Sequence, residues 1–247
     1  MFLDSDDEYC EDMCQTLFDV VTSEKADVVT CDFYYKINQN CQKHQSELIV
    51  EYFTESDKFI CMDSINSVIF NEILSWNKII NRSLLIDNDI YFPTVYPNVL
   101  LEDRLFFLEV NSKLKKLIYI KNYSGVIYHH SNYSLSHVPD VRLLVDVLKP
   151  TESLSVIAND IIGFKLFEKY KYNFVGPIID NVIYRSSLIK NRKNLRLLLE
   201  KLYESENKLS FDNTFTNNKV INFFILRNKI SVTIFIIRVI QFIRIFK

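Results

Sequence analysis

The chain has 247 residues, 48% hydrophobic and 24% charged, which is enough to bury a substantial core and excludes a disordered chain. Its five cysteines, Cys10, Cys14, Cys31, Cys41 and Cys61, are odd in number and show no C-x-x-C spacing, which argues against a disulfide framework and a structural zinc site. The net charge of −2 excludes no partner class by itself, but Asp4, Asp6, Asp7, Glu8, Glu11 and Asp12 crowd the start, and after Asp212 only basic charges remain.

Phe2-Leu3 ahead of Asp4-Ser5-Asp6-Asp7 predicts the end of a buried strand running into a carboxylate-rich turn. Strand alternation aims Asp4 and Asp6 to one side, where two hard oxygen ligands can share a divalent cation that holds a diphosphate. The competing reading is an acid cluster that serves the dipole of the next helix. That helix is predicted over Glu11 to Ser23, with Met13, Leu17 and Val20/Val21 at helical spacing and acids at its first turn. Ala26 to Tyr35 is rich in β-formers and predicts a short buried strand, followed by a polar hairpin tip or loop through Ser46.

Asp63 to Leu74 predicts a helix, and Ser75 to Leu85 carries the only tryptophan, Trp76, before a turn at Asp87-Asn88-Asp89. A helix begins at the acid pair Glu102-Asp103 and runs to about Ser112. Two aromatic, β-branched runs, Leu117 to Ile120 and Val126 to His130, bracket Asn122-Tyr123-Ser124-Gly125 as a turn. From Asp140 to about Asn207 the pattern is helical, with Leu143, Leu144, Val147 and Leu148, then Leu195, Leu197, Leu198 and Leu199. The tail from Val220 is dense in Ile and Phe, but its longest uncharged run, Ile230 to Ile237, is far short of a membrane span. Arg227, Ser231, Arg238 and Gln241 fall on one narrow stripe, which fits a helix lying in a membrane interface; the alternative is a terminal helix docked on the core or a partner.

The order of these features resembles the family 2 glycosyltransferases of GT-A fold, particularly those that assemble capsule, teichoic acid and other surface glycans. Phe2-Leu3-Asp4-Ser5-Asp6-Asp7 looks like the family's DxD segment and Ala26-Asp27-Val28-Val29 like its following strand. Trp76-Asn77-Lys78-Ile79 looks like its acceptor-side motif, and Glu102-Asp103 like its catalytic acid pair. The resemblance covers roughly residues 1 to 137. It implies an α/β fold: a partial GT-A, Rossmann-like mixed sheet with flanking helices, followed by a C-terminal helical extension. The domains expected are 1–138 for the transferase part, 139–215 for the helical extension and 216–247 for a basic amphipathic tail.

By that resemblance, Asp4 and Asp6 would hold Mg²⁺ or Mn²⁺ against the diphosphate of a nucleotide sugar. Asp103 would be the general base for inverting transfer, assisted by Glu102. Asp7, His129 and His130 are further candidates for diphosphate or metal contact, and Trp76, Asn77 and Lys78 for the acceptor; Ser134-Leu135-Ser136 resembles an acceptor-side loop. Without the family, Glu102-Asp103 reads equally as a helix N-terminal acid pair, Trp76 as core, and the histidines as packed or solvated. The family's strand-helix-strand unit for base and ribose is expected to lie outside this sequence, so one expectation is a truncated transferase, either with its true start upstream or split from an N-terminal half that complements it. A catalytically inactive remnant that binds membrane or a partner is the other. The expected partners are a nucleotide-diphosphate sugar and a glycan or lipid-linked acceptor at the cytoplasmic membrane face, with no nucleic acid. The expected location is peripheral, on the inner face of the cell membrane.

Overall fold

The structure, a computed structural model, describes residues 1–37, 40–44, 54–56, 58–70, 74–93, 102–129, 140–148, 151–186, 188–208, 229–234 and 236–237. The chain divides into two compact units, Met1–Val95 with Glu102–Ser134, and Tyr96–Leu101 with Leu135–Lys247.

The first unit is built on two long parallel strands, β2 (Val28–Ile37) and β7 (Leu117–His129), paired from Val28↔Leu117 to Lys36↔His129. Each is flanked on its outer side by two short antiparallel strands in succession. β2 pairs first with β6 (Lys78–Ile80) and then with β3 (Asn40–His44). β7 pairs first with β5 (Phe59–Met62), which carries β4 (Thr54–Glu55) at its edge, and then with β1 (Glu8–Tyr9). Seven strands thus form one mixed sheet among the described residues.

Both faces of the central pair are covered, which is why Val28-Val29 and Leu117-Ile118-Tyr119-Ile120 read as nearly continuous apolar runs. Alternation divides them. Val28, Leu117 and Tyr119 face one cluster with Ile60, Met62, Phe106, Phe107 and Val110. Val29, Phe33, Ile118 and Val126 face another with Met13, Leu17 and Trp76. The first cluster is closed by α4 (Glu102–Lys113) and α3 (Arg82–Asp87), and the second by α1 (Met13–Ser23); α2 (Ser64–Phe70) packs on α4.

Several expectations change. Phe2 and Leu3 lie in no strand and are 37% and 45% exposed, because the first pairing with β7 is made later, by Glu8↔Ile127 and Tyr9↔Val126. The α1 helix begins at Met13, leaving Glu11 and Asp12 outside its first turn; the Asp12 carboxylate accepts from the Tyr123 hydroxyl at 3.0 Å instead of capping. The expected turn at Asn122-Tyr123-Ser124-Gly125 is a bulge within one continuous strand: β7 takes five steps, Tyr119 to Ser124, where β2 takes two, Thr30 to Asp32. Asn122 absorbs the excess at φ +61°. Gly125 is required here, since a Cβ would sit 2.8 Å from Met13 Cγ and 3.1 Å from Cys31 Sγ.

The Ala26-Asp27 segment is structural. Asp27 Oδ2 accepts the backbone N–H groups of Lys115 (2.6 Å) and Lys116 (3.0 Å), tying the turn between α4 and β7 to the start of β2.

The second unit is helical: α5 (Val141–Leu148), α6 (Thr151–Ile162), α7 (Phe164–Ser186) and α8 (Arg192–Lys208). α5 packs on α8 and α6 on α7. Asn191 caps α8 by accepting from the N–H groups of Lys193 and Asn194, and Leu195, Leu198, Leu199 and Leu202 bury one face. The described tail residues 230–234 and 236–237 are helical; Ile230, Ile234 and Ile237 are buried while Ser231 is exposed. No helix among the described residues is long and apolar enough to cross a membrane. Arg227, Arg238 and Gln241 of the narrow stripe lie outside the described residues.

Candidate active site

The carboxylates at the start of the chain form a tight turn, closed by the Asp7 N–H donating to the Asp4 carbonyl at 3.1 Å. The turn is anchored at both ends. Before it, the Phe2 ring packs edge-on against Phe92 (5.2 Å) and Phe106 of α4 (5.9 Å). After it, Asp7 Oδ1 accepts the His129 backbone N–H at 2.9 Å, and β1 joins β7.

Asp7 is only 8% exposed, and its Oδ2 is buried without a hydrogen-bond partner. Burial raises its pKa, the His129 N–H opposes that, and the charges of Asp6 and Asp4 add to it. Asp4 is likewise raised, by burial and then by Asp6. Carboxylates packed this closely favour protonation or a cation.

Asp103 opens α4, where the helix N-terminus favours its charge. Its Oδ2 accepts from Ser75 Oγ at 3.3 Å. Burial, then the Glu102 charge, pushes its pKa up to about 6, with Asp4 also raising it and the Ser75 bond and Lys78 pulling it down. Phe2, two residues before Asp4, packs on Phe106, about one turn after Asp103 in α4, so contacts between distant parts of the sequence bring the turn and the start of α4 into one neighbourhood.

The segment between Ser75 and Lys78 runs along the outer edge of β2. Asn77 bridges through its carbonyl to the Cys31 N–H (3.2 Å) and through Nδ2 to the Cys31 carbonyl (2.8 Å). Lys78 is fully buried, with Nζ donating to Asn77 Oδ1 at 2.7 Å and lying 4.8 Å above the Phe107 ring. Trp76 is 4% exposed, edge-on to Phe33 (4.8 Å) and stacked on Tyr128 (5.5 Å, 11°). The three residues expected to touch an acceptor thus lie beneath the site's surface, because the apolar clusters claim the indole and the lysine stem.

His129 directs its ring to Glu8, with Nε2 2.8 Å from Oε1, and Lys36 stands 3.8 Å from the same oxygen. His130 and Ser134-Leu135-Ser136 lie outside the described residues. Sequence reading missed Ser75, whose contact with Asp103 spans distant segments. It also missed Asp32, fully buried at the bulge and accepting from the Tyr119 hydroxyl at 2.7 Å. Alternation within β7 was the available signal for Tyr128, since it must face opposite to His129.

Among the described residues, no group of three or more His, Cys, Asp or Glu side chains is arranged to hold a metal. An octahedral Mg²⁺ or Mn²⁺ that keeps its waters and takes phosphate oxygens needs only one or two carboxylates. The Asp4–Asp7 turn, with its raised pKa values and the partnerless Asp7 oxygen, fits that kind of ion.

The fold is that of the GT-A-type glycosyltransferases. S. aureus TarS residues 1–349, in complex with UDP-GlcNAc, superposes at a TM-score of 0.59, with 17% identity over 94% of this chain and 64% of that one. TarS 1–349 in complex with UDP gives 0.57 at 17% identity, over 94% and 63%. A longer S. aureus TarS structure gives 0.51 at 19% identity, over 83% of this chain and 33% of that one. This chain therefore spans a little under two thirds of TarS 1–349, and the likeness is one of fold. No protein-family model and no curated protein matches the sequence.

Proposed function

We propose that this chain is the metal- and acceptor-binding part of a glycosyltransferase that moves a sugar from a nucleotide diphosphate to a surface-glycan or lipid-linked acceptor with inversion. The observation that carries the proposal is Asp103: a largely buried carboxylate, hydrogen-bonded by Ser75, poised near neutrality, and within reach of the Asp4 turn. TarS, which shares the fold, was crystallised with UDP-GlcNAc and with UDP.

In this reading Asp103 takes the proton of an acceptor hydroxyl as its oxygen bonds to the anomeric carbon. The bond from that carbon to the diphosphate oxygen breaks, and the electron pair leaves with the diphosphate. Glu102, by keeping the Asp103 pKa up, makes it a better proton acceptor when ionised. Asp4 and Asp6, with Asp7 in support, would hold Mg²⁺ or Mn²⁺, which when bound neutralises charge on the departing diphosphate. His129, held by Glu8, stands beside the turn as a further diphosphate contact. The inner membrane face is the proposed setting, supported by the basic tail residues Arg227, Lys229, Arg238, Arg244 and Lys247.

Calorimetry with UDP tests the donor site. Binding is expected to require Mg²⁺ or Mn²⁺ and to be lost in Asp4→Asn and Asp6→Asn. Asp103→Asn is expected to retain UDP binding and lose transfer from a UDP-sugar. Metal-independent binding, unchanged in the Asp4 and Asp6 variants, would remove the metal role.

A further inference from the structure

Beside the carboxylate turn, the sheet carries a group of aromatic rings that the transfer chemistry does not use. Tyr35 and Tyr128 are paired neighbours on β2 and β7, with rings 5.5 Å apart at 89°. Phe33 stands edge-on to Tyr35 at 5.0 Å and stacks on His44 at 4.3 Å. Trp76 lies parallel beneath Tyr128 and fixes that ring's plane. The buried members of the group are Phe33 and Trp76; Tyr35, Tyr128 and His44 are partly exposed.

A tyrosine held flat by a buried indole and walled by a second tyrosine is a rigid, partly exposed aromatic surface. It loses little conformational entropy when something packs on it. Its position is informative. Tyr128 directly precedes His129, whose backbone N–H donates to Asp7 Oδ1 at 2.9 Å, so this stretch of β7 borders the turn assigned to the diphosphate. On the other side, Trp76 is the immediate neighbour of Ser75, which holds Asp103. Tyr128 is thus linked through its neighbour His129 to the turn assigned to the diphosphate, and through Trp76 and its neighbour Ser75 to the carboxylate assigned as base.

We infer that Tyr128, backed by Trp76 and walled by Tyr35, is the stacking platform for a pyranose ring of the acceptor. A pyranose presents an apolar C–H face that matches an aromatic ring, and outward hydroxyls that suit the neighbouring carboxylates. This assigns acceptor contact to Tyr128 and gives Trp76 the role of a positioning residue. The inference deepens the transfer reading above and rests on it for the word acceptor.

Trp76 is the only tryptophan, so its emission reports on the ring stacked against it. The full chain is titrated with chitotriose and with maltotriose, and with glycerol 3-phosphate, which has no ring, as the control. A saturable change with an oligosaccharide, absent with the control, is expected. Tyr128→Leu should weaken that binding about fivefold or more, and Tyr128→Phe should keep it within about twofold, because the ring face rather than the hydroxyl makes the contact. Binding by a well-folded Tyr128→Leu equal to wild type overturns the inference, as does no response to either sugar up to about 20 mM.

Saturation-transfer NMR with only tyrosine rings protonated gives a second readout: sugar C–H signals must gain saturation in the wild-type chain and lose it in Tyr128→Phe, where the ring at that position is deuterated. UDP with Mg²⁺ is titrated into the same proteins. Unchanged UDP affinity in Tyr128→Leu supports the acceptor assignment, whereas equal loss of UDP and sugar places the ring against the donor and overturns it. Failure of the wild-type chain to bind UDP would fail the donor reading and leave the sugar result standing.

Discussion

Asp103 is a carboxylate whose burial works against the fold. Its pKa is raised from 3.8 to about 6, so the folded state prefers the neutral carboxyl. Sign follows from linkage: this group costs nothing below about pH 4, where folded and unfolded chains both hold the proton, and its full cost is present above about pH 6. Asp103→Asn should therefore stabilise the chain at pH 8 by about 1–2 kcal/mol, allowing for partial solvent screening, with the difference vanishing near pH 4. Urea melts at the two pH values check this. If Asp103 is the base, as proposed, transfer by the wild type should fall about tenfold per pH unit below about pH 6, where it is protonated.

Lys78 is the complementary case. Its ammonium is buried against Asn77 and Phe107 and lowers the Asp103 pKa. Lys78→Met removes that cation and leaves Asn77 Oδ1 without its donor. The expected results are a loss of about 2–4 kcal/mol of stability and a further upward shift of the Asp103 titration, read by carboxyl NMR.

At the scale of elements, the bulge in β7 and the contact of α1 against it depend on Gly125. Gly125→Val would drive a branched side chain into Met13 and Cys31, with an expected cost of about 2–3 kcal/mol measured by thermal denaturation. A control at exposed Phe18 should cost far less.

The elements most legible in the sequence were those in which one physical signal dominates. Met13 and Leu17 announce α1, and the apolar runs at Val28 and Leu117 announce strands buried on both faces. Glu102-Asp103 marks a helix start through the acids themselves. The bulge was misread because Asn122-Tyr123-Ser124-Gly125 has the composition of a turn. Nothing local says that the two runs on either side continue on one partner, β2. Phe2-Leu3 read as a strand because pairing partners, unlike hydrophobicity, are not written next to the residues that use them. The acid motifs could be named in sequence, but their meeting through Ser75 and the burial of Asn77 and Lys78 are long-range facts.

The chain divides into two compact units, and a lesion in one is expected to be read there first. Ile234 is buried in the helical unit. Ile234→Asn should speed amide hydrogen exchange in α5 through α8 while leaving β2 and β7 protected, a pattern that exchange mass spectrometry resolves. Uniform loss of protection would mean that the two cores unfold as one.

The bulge also constrains how the chain length can drift. Before it, partners on β2 and β7 are 89 positions apart (Thr30 with Tyr119), and after it 93 (Phe33 with Val126), an even difference. Because a strand's faces alternate residue by residue, parity decides which side chains look which way. Deleting one residue between Asn122 and Gly125 would turn Tyr128 away from Trp76 and send His129 into the aromatic group. Deleting two would restore both. Insertions and deletions at this point should be tolerated in pairs and rejected singly, a counting rule for the strand's length rather than a preference for any particular residue.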